Sequence, residues 1–173
     1  MLKLLSLTLV VVGFLAFLVM ILGYSEPISY EGTLTERFDD KREVVWTILN
    51  SIEEIQTRKP DVIAVNFLST ERGIVSWRED LENGGFRVYK TLEKTTPSRL
   101  VVELLESSYG VTGVWTYTLV QSGTMAEVTI TEKSKTDNVW VRGINKIKGR
   151  NIYLVKEMKY IRVGLFQNLL TKP

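Results

Sequence analysis

The segment that most restricts how this chain can fold is an uncharged stretch near its start. Residues 4–22 read LLSLTLVVVGFLAFLVMIL and contain no charged side chain. At a rise of about 1.5 Å per residue, a helix over this stretch is about 28 Å long, close to the hydrocarbon thickness of a bilayer. A cleaved secretion signal is the competing interpretation, but it has a shorter apolar run followed by a small-x-small cleavage site. The sequence favours a retained transmembrane anchor over residues 1–23.

The residues that flank this stretch indicate its orientation. Lys3 precedes it, and Tyr24 and Glu26 follow it. Positive charge stays on the cytoplasmic side, and tyrosine prefers headgroup depth. We therefore predict a single-pass membrane protein that contacts the lipid bilayer through residues 4–22, with its domain on the extracytoplasmic side. Residues 24–32 form a short connector with little reach, so the domain at 33–173 stays close to the membrane.

The composition excludes several kinds of chemistry. The chain of 173 residues has no cysteine and no histidine. Disulfides, thiolate nucleophiles and a histidine base are therefore ruled out, and we expect no metal site and no cofactor. The net charge is only +2, and aromatic residues are not interleaved with basic ones, so we do not expect nucleic acid as a partner. A hydrophobic content of 45% suits one compact domain.

A strand and a helix are predicted directly after the connector. Residues 33–38 form a short strand candidate. Asp39 or Asp40 then offers an N-cap, with Glu43 placed for a capping box. Apolar residues recur at helical spacing from Val44 to Ile55, and the helix should stop before Pro60.

Six further strands are predicted from alternating residues and turn signals. Four lie at 62–69, 73–80, 86–94 and 99–107, and two more lie within 113–132. The segments Glu82-Asn83-Gly84-Gly85 and Ser122-Gly123-Thr124 mark hairpin turns, because Asn-Gly and Gly-Gly supply positive φ angles.

The last segment, residues 138–170, changes from strand to helical period. An apolar stripe at spacings of three and four predicts one long amphipathic helix, which Gly143, Gly149 and Gly164 could bend. Such a helix can cover the apolar face of the sheet. The stripe consists of Ile144, Ile147, Asn151, Leu154, Val155, Met158, Ile161, Leu165 and Leu169.

This order of elements resembles the START-like, or polyketide cyclase/dehydrase-like (SRPBCC), superfamily. The resemblance covers residues 33–170 and is carried by REVVWTILNSIEEIQTRKPDV, GIVSWRED, TTPSRLVVEL, GVWTYTLV and GTMAEVTITEKSKTDNVWVRGINKI. It implies an α+β helix-grip fold, a curved seven-stranded antiparallel sheet wrapped around a long C-terminal helix, here preceded by one transmembrane helix. It also places Trp46 and Pro60 at the first helix and its end, Trp77 and Trp115 on strands, and Ile144 onward on the gripping helix.

Members of that superfamily hold a hydrophobic ligand between the sheet and the helix. Strand alternation puts Trp115, Tyr117 and Leu119 on one face, opposite Ala126, Val128 and Ile130. These side chains either fill the interior or enclose a space for an apolar ligand, and the resemblance favours the space. The ligand-binding candidates are Val75, Trp77, Val88, Val102, Trp115, Tyr117, Asn151, Leu154, Met158 and Ile161.

Each of three polar residues has two possible interpretations, one functional and one structural. Glu79 shares a strand face with Trp77 and is either an inward carboxylate or, as charged residues usually are, in water near the strand end. Asn151 interrupts the apolar stripe and either orients a ligand head group or faces outward. Tyr117 either offers a hydroxyl to a ligand or is structural. We assign no catalytic residue.

Basic residues are concentrated at the C-terminal end. Residues 141–173 contain eight Lys or Arg and one acidic residue, Glu157. This basic face either attracts anionic lipid headgroups or is compensated by an acidic sheet edge.

Two functions from different classes remain open. The first is a membrane-anchored binding module for a hydrophobic small molecule or lipid. The second is a cyclase or aromatase-type enzyme that uses Glu79, Tyr117 or Asn151, and the lack of His and Cys favours the first. A groove that receives part of a partner protein is a third possibility.

Overall fold

Alternating and helical sequence periods produce five helices and seven strands in the computed structural model, which describes residues 2–71 and 74–171. In chain order these elements are α1 (Leu2–Ser25), β1 (Ser29–Phe38), α2 (Arg42–Asn50), α3 (Ile55–Arg58), β2 (Val62–Glu71), β3 (Ile74–Leu81), β4 (Phe86–Thr95), β5 (Arg99–Ser107), β6 (Val111–Ser122), β7 (Met125–Thr136), α4 (Val139–Lys148) and α5 (Ile152–Thr171).

The strands form one antiparallel sheet in the order β1-β7-β6-β5-β4-β3-β2. Register shifts between Phe67 and Ser69 and between Thr91 and Glu93 interrupt two of the pairings. Such bulges increase local twist and bend the sheet. The predicted α+β helix-grip fold, with seven strands curved around the C-terminal helical segment, is confirmed.

The densest part of the core lies where β6 and β7 meet α5. Leu119 pairs with Val128 and Tyr117 with Ile130, so their side chains share the inner face of the sheet as predicted. One stripe of α5 lies over this face, and its members, Leu154, Met158, Ile161 and Leu165, are buried. This end of the interior is closed by ordinary side-chain packing.

The first domain helix differs from the prediction, because it is two helices joined by a turn. The N-cap of α2 is Lys41 and has no side-chain hydrogen bond, so the expected capping box does not form. Instead, the Oε1 of Gln121 on β6 accepts from the amide of Arg42 at 2.8 Å. At the other end of α2, the guanidinium of Arg58 donates to the carbonyls of Ile48 and Ser51. A tertiary contact at each end has replaced the local caps that the sequence suggested.

The C-terminal helix is also divided, so the prediction of one continuous helix over residues 138–170 is wrong. Gly149 has φ of +93° and ends α4, and α5 begins three residues later at Ile152. A positive φ at this place costs least for glycine, which has no Cβ. The Oδ1 of Asn138 accepts from the amides of Trp140 and Val141 and fixes the start of α4.

The N-terminal helix contacts the domain through its last turns. Only Glu26, Pro27 and Ile28 separate α1 from β1, which begins at Ser29 rather than at residue 33. Of the expected connector at 24–32, residues 24–25 belong to α1 and residues 29–32 to β1. Most apolar side chains described on α1 are exposed, and its final turns pack against α4.

The packing between β6, β7 and α5 predicts a large cost for removing Leu119, whose side chain is buried. Leu119→Ala should lower the free energy of unfolding by about 3 kcal/mol, because it leaves a cavity that the neighbours cannot fill. Val120→Ala, next on the strand but on the exposed face, should change it by less than about 0.5 kcal/mol. Urea denaturation of the full chain in detergent micelles measures both, and equal losses would contradict the assigned faces.

Candidate functional site

A cavity of about 340 Å³ remains between the curved sheet and the helices. It lies beside the packed core described above and is lined by inward residues of β3, β4, β5 and β6 and by residues of α4 and α5. Most of the wall is apolar and buried: Trp77, Leu100, Val102, Leu104, Val111 and Trp115. The ring of Trp77 stacks on that of Tyr89 with centroids 5.2 Å apart. The interior is therefore not completely filled by its own side chains.

One end of this cavity carries buried charges, with Lys59 at their centre. Its Nζ lies 3.4 Å from Oε1 of Glu79 and 3.3 Å from Oε1 of Glu157. The same ammonium lies 5.6 Å and 5.5 Å from the ring centroids of Tyr89 and Tyr160, within cation–π distance. The side chain of Lys59 is only 12% exposed, so these neighbours replace most of its hydration.

Glu79 extends the network to β4. Its carboxylate is fully buried, and its Oε2 lies 3.2 Å from Nε of Arg87 without hydrogen-bond alignment. Arg87 in turn donates from Nη2 to Oδ2 of Asp61 at 2.8 Å. Of the two readings of Glu79, the inward one is correct, and the expectation that water surrounds it is wrong. Lys59 and Arg87 supply the partners that a buried carboxylate requires.

Tyrosine hydroxyls line the boundary between the charged end and the apolar wall. The hydroxyl of Tyr117 donates to Oε2 of Glu157 at 3.0 Å, and that of Tyr160 donates to Oδ1 of Asp61 at 3.4 Å. Burial, and secondly the Glu157 charge, raises the pKa of Tyr117 well above its usual value. Burial, and secondly Asp61, raises the pKa of Tyr160 to about 12. Both hydroxyls stay protonated at neutral pH and can donate hydrogen bonds.

The protonation state of Lys59 restricts what chemistry this cluster can perform. Burial alone would lower the pKa of Lys59, but the charges of Glu157 and then Glu79 outweigh it and raise the pKa above its usual value. Lys59 is therefore an ammonium at any ordinary pH and has no free amine to attack a carbonyl. Among the residues that the structure describes, no group of three or more acidic side chains is placed to hold a metal ion.

The predicted site residues divide into three groups. Trp77, Val102, Trp115, Tyr117 and Ile161 line the cavity. Val75, Leu154 and Met158 belong to the packed core instead, with Leu154 and Met158 fully buried and Val75 partly buried. The remaining two, Val88 and Asn151, lie away from the cavity.

The position of Val88 corrects the assignment of faces on β4. Val88 pairs with Arg78, whereas Tyr89 pairs with the inward Trp77, so Val88 lies on the outer face of the sheet. Arg87, Tyr89 and Thr91 line the cavity in its place. The rule that apolar residues point inward fails here because the inner face supplies partners to Glu79 and Lys59.

Asn151 faces outward, which is the second of its two interpretations. It lies in the turn between α4 and α5, is exposed, and its Oδ1 accepts from the hydroxyl of Tyr30. Asn145, one turn before the end of α4, lines the cavity instead, as does Asn50 at the end of α2. The break at Gly149 shifts the register of the two helices, so a single helical wheel misplaces Asn151.

The side of α5 that faces the cavity is mostly polar, and the sequence did not predict this. Tyr153, Glu157 and Tyr160 line the cavity together with Ile161, while Leu154, Met158 and Leu165 of the apolar stripe pack on the core. These residues recur at helical spacing, and Glu157 is the only acidic residue after Asp137. A lone carboxylate on an otherwise basic helix is a signal that could have identified this face.

A second buried carboxylate, Glu132, lies on β7 outside the Lys59 network. Its Oε1 accepts from the hydroxyl of Ser134 at 2.6 Å, and its Oε2 has no hydrogen-bond partner among the described residues. Glu132 pairs with Trp115 and therefore points into the interior. Burial without a cationic partner raises its pKa to about 7.

Comparison with known proteins supports the fold. No family model and no curated protein sequence matches the chain. Among solved structures, the Zhui aromatase/cyclase from Streptomyces sp. R1128 is similar, with a TM-score of 0.64 and 11% identity over 80% of this chain and 93% of that one. A START superfamily protein from Mycobacterium smegmatis has a TM-score of 0.62 and 14% identity over 79% of this chain and 98% of that one.

A plant enzyme has the same architecture. Norcoclaurine synthase from Thalictrum flavum, in complex with dopamine and hydroxybenzaldehyde, has a TM-score of 0.63 and 13% identity, and the match covers 88% of this chain and 93% of that one. The chain therefore has the helix-grip fold of START and aromatase/cyclase proteins. At this level of identity the similarity concerns the fold alone.

The environment of Glu132 predicts a pH dependence of stability that its removal abolishes. The unfolded carboxyl releases its proton near pH 4.5 and the folded one near pH 7, so the folded state binds more protons in between. Stability therefore falls as pH rises through this window, by up to about 3 kcal/mol. Glu132→Gln should be more stable than wild type at pH 8 by an amount of this order, and equal to it near pH 4.

Chemical denaturation at these two pH values measures the effect. Glu127→Gln on the same strand is the control, because Glu127 pairs with Arg37 at the surface and should change stability little at either pH. A gain in Glu132→Gln that is the same at both pH values would contradict the proposed ionisation.

Proposed function

We propose that the chain is a membrane-anchored binding module that holds an uncharged, amphipathic small molecule between the sheet and helices α4 and α5. The observation that carries this proposal is the cavity of about 340 Å³, with an apolar wall and one end of mutually paired charges. Its volume falls within the range of small-molecule pockets, roughly 300–1,000 Å³.

The apolar wall of the cavity indicates that most of the ligand is hydrophobic. Trp77, Leu100, Val102 and Trp115 present buried aromatic and branched surfaces to the space. Each Å² of apolar ligand surface removed from water contributes about 25 cal/mol. A ring system or a short branched chain that contacts these walls would gain most from such a site.

The charged end of the cavity favours a ligand whose polar group is neutral over one whose polar group is ionised. Lys59 and Arg87 already face Glu79, Glu157 and Asp61. Two further cations line the cavity: Arg58 donates to the carbonyls of Ile48 and Ser51, and Lys156 is exposed at the opening. An anionic ligand at this end would have to displace a buried ion pair or remain without a cationic partner of its own, and both are costly. The hydroxyls of Tyr117 and Tyr160 can instead exchange hydrogen bonds with a hydroxyl or carbonyl group.

The N-terminal helix supports membrane anchoring. Thr8–Ser25 has a mean hydropathy of 2.3 and is long and apolar enough to cross a bilayer. The carbonyl of Gly23 accepts from Nε of Arg142 on α4 at 2.9 Å, and Glu26, just after the helix, forms ion pairs with Lys146 and Arg150. Cleavage of a signal before this point would take away the partner of Arg142, so the contacts favour a retained helix.

A cyclase or aromatase-type enzyme is the second candidate. The pairing of a tyrosine hydroxyl with Glu157 inside the cavity favours it, because such a pair can move a proton to a bound substrate. The ammonium state of Lys59 and the raised pKa of Tyr117 count against it. An enzyme would lose turnover in Glu157→Gln and keep its affinity, whereas a binding module has no turnover to lose.

The cavity predicts that a bulky side chain inside it blocks binding. Val102 lines the space, and Leu105, on the same strand, is exposed outside it. Val102→Trp should fill the space and reduce the affinity for naphthol at least about tenfold, the factor that corresponds to 1.4 kcal/mol. Leu105→Trp should bind as wild type does. Titration monitored by quenching of Trp77 and Trp115 measures affinity, and similar binding by both variants would contradict the site.

The charge balance predicts a preference between two ligands of the same shape. Naphthol and naphthoate share a ring system, but only naphthoate is anionic at pH 7. Wild type should bind naphthol more tightly, because Lys59 and Arg87 are already paired with carboxylates. Arg58 is occupied by two backbone carbonyls, and Lys156 lies in solvent at the opening, where an ion pair contributes little. Tighter binding of naphthoate would overturn the assignment of a neutral ligand.

A further inference from the structure

Helix α4 packs tightly against the end of the apolar helix α1. A Cβ placed on Gly23 would overlap the carbonyl oxygen of Val139, and one placed on Gly143 would overlap that of Val19. The two backbones are therefore in direct contact at this crossing. The ion pairs of Glu26 with Lys146 and Arg150 also hold the C-terminal end of α4 near the end of α1. Small residues at such crossings allow this close approach between helices in membranes. Together with the Arg142 contact to Gly23, this packing fixes α4 relative to α1.

This packing determines the depth of α4 if α1 spans a bilayer. The uncharged stretch ends at Leu22, and α4 lies beside the turns from Val19 to Gly23. A span that stopped before Val19 would leave residues 4–18, about 22 Å of helix, which is shorter than the roughly 30 Å hydrocarbon core. The apolar span therefore brings α4 to the boundary between hydrocarbon and headgroups.

The exposed surface of α4 suits that boundary. Trp140, Ile144 and Ile147 recur at i, i+4 and i+7 and are 45%, 41% and 61% exposed. At 3.6 residues per turn they form one stripe, which lies between the α1-facing side at Gly143 and the cavity-facing side at Val141. Tryptophan and isoleucine on one side of a short amphipathic helix favour insertion at the membrane interface.

The charges next to this stripe are complementary to anionic lipid. Lys148 on α4 and Lys156 on α5 are exposed, and neither forms an ion pair within the described residues. Lys146 and Arg150 form ion pairs with Glu26, and Arg162 pairs with Glu36 on the edge strand β1, so part of the basic face is compensated within the chain. Basic residues near an anionic leaflet attract it.

The stripe continues to the opening of the cavity. The cavity-lining side chains that are exposed are Tyr109, Ile144 and Lys156, and Ile144 belongs to the stripe as well. The amide of Asn138 at the start of α4 donates to the carbonyl of Tyr109 and holds that side of the opening to the helix. An apolar surface thus runs from α1 across α4 into the cavity.

We propose that α4 lies in the headgroup region of an anionic bilayer and that its Trp140–Ile144–Ile147 stripe is the path by which ligand passes between the membrane and the cavity. The depth of α4 rests on the proposed membrane anchoring, and the path rests in addition on the proposed binding function. Ligand then enters sideways from the lipid without crossing bulk water.

The depth is tested first, with nitroxide labels on the full chain in vesicles that contain phosphatidylglycerol. The chain has no native cysteine, so Ile147→Cys and Val120→Cys each carry a single label. Val120 is also exposed but lies beside the turn at Ser122–Gly123, at the end of the sheet away from α4. The label at 147 should be relaxed by oxygen and protected from a water-soluble nickel chelate, and the label at 120 should show the reverse. An aqueous label at 147 overturns the depth of α4, whether or not the cavity binds ligand.

The path is tested with Ile147→Glu and the control Val120→Glu. Stopped-flow transfer of a naphthyl-tagged fatty alcohol from vesicles should slow by about tenfold in Ile147→Glu, the factor for roughly 1.4 kcal/mol on a barrier. Its equilibrium affinity should be unchanged, because Ile147 does not line the cavity. Transfer in Val120→Glu should match wild type. An unchanged rate in Ile147→Glu overturns the path, and a lack of binding by wild type overturns the binding function while the depth result stands.

Discussion

The pairing of Lys59 with Glu79 and Glu157 is the interaction on which the character of the interior depends. It joins the segment between α3 and β2 to β3 and α5, and through Arg87 to β4. Buried charges cost several kcal/mol each unless they are paired, so once one of these residues is inside, the others must follow. Because the partners come from opposite sides of the interior, they hold one end of the cavity polar and leave its wall to apolar side chains.

The second constraint is the contact of α4 with α1. Gly23 and Gly143 bring the two backbones together, and Glu26 neutralises part of the basic surface that would otherwise surround the junction. The helix that closes one side of the cavity is therefore the same helix that meets the apolar segment. In this arrangement the cavity and the apolar helix α1 are parts of one packed unit rather than modules on a flexible tether.

Much of the fold follows from residue periodicity. Which residues of each strand and helix face the interior does not always follow from it. Alternation identified the strands because Trp115, Tyr117 and Leu119 are buried on one face and the residues between them are only partly buried on the other. It failed at Val88, where the inner positions belong to Arg87 and Tyr89, since no local rule anticipates a buried ion-pair network contributed by distant elements. The helices were misjudged at their ends for a similar reason, because Gln121 and Arg58 supply caps from elsewhere in the chain.

The central claim, that the space beneath α4 and α5 is a binding site, is most directly tested by native mass spectrometry of the full chain released from membranes. The account predicts a noncovalent adduct whose extracted molecule is amphipathic and uncharged, with a size that suits a cavity of about 340 Å³. A chain that carries no adduct, and that acquires none after incubation with a total lipid extract, would contradict it.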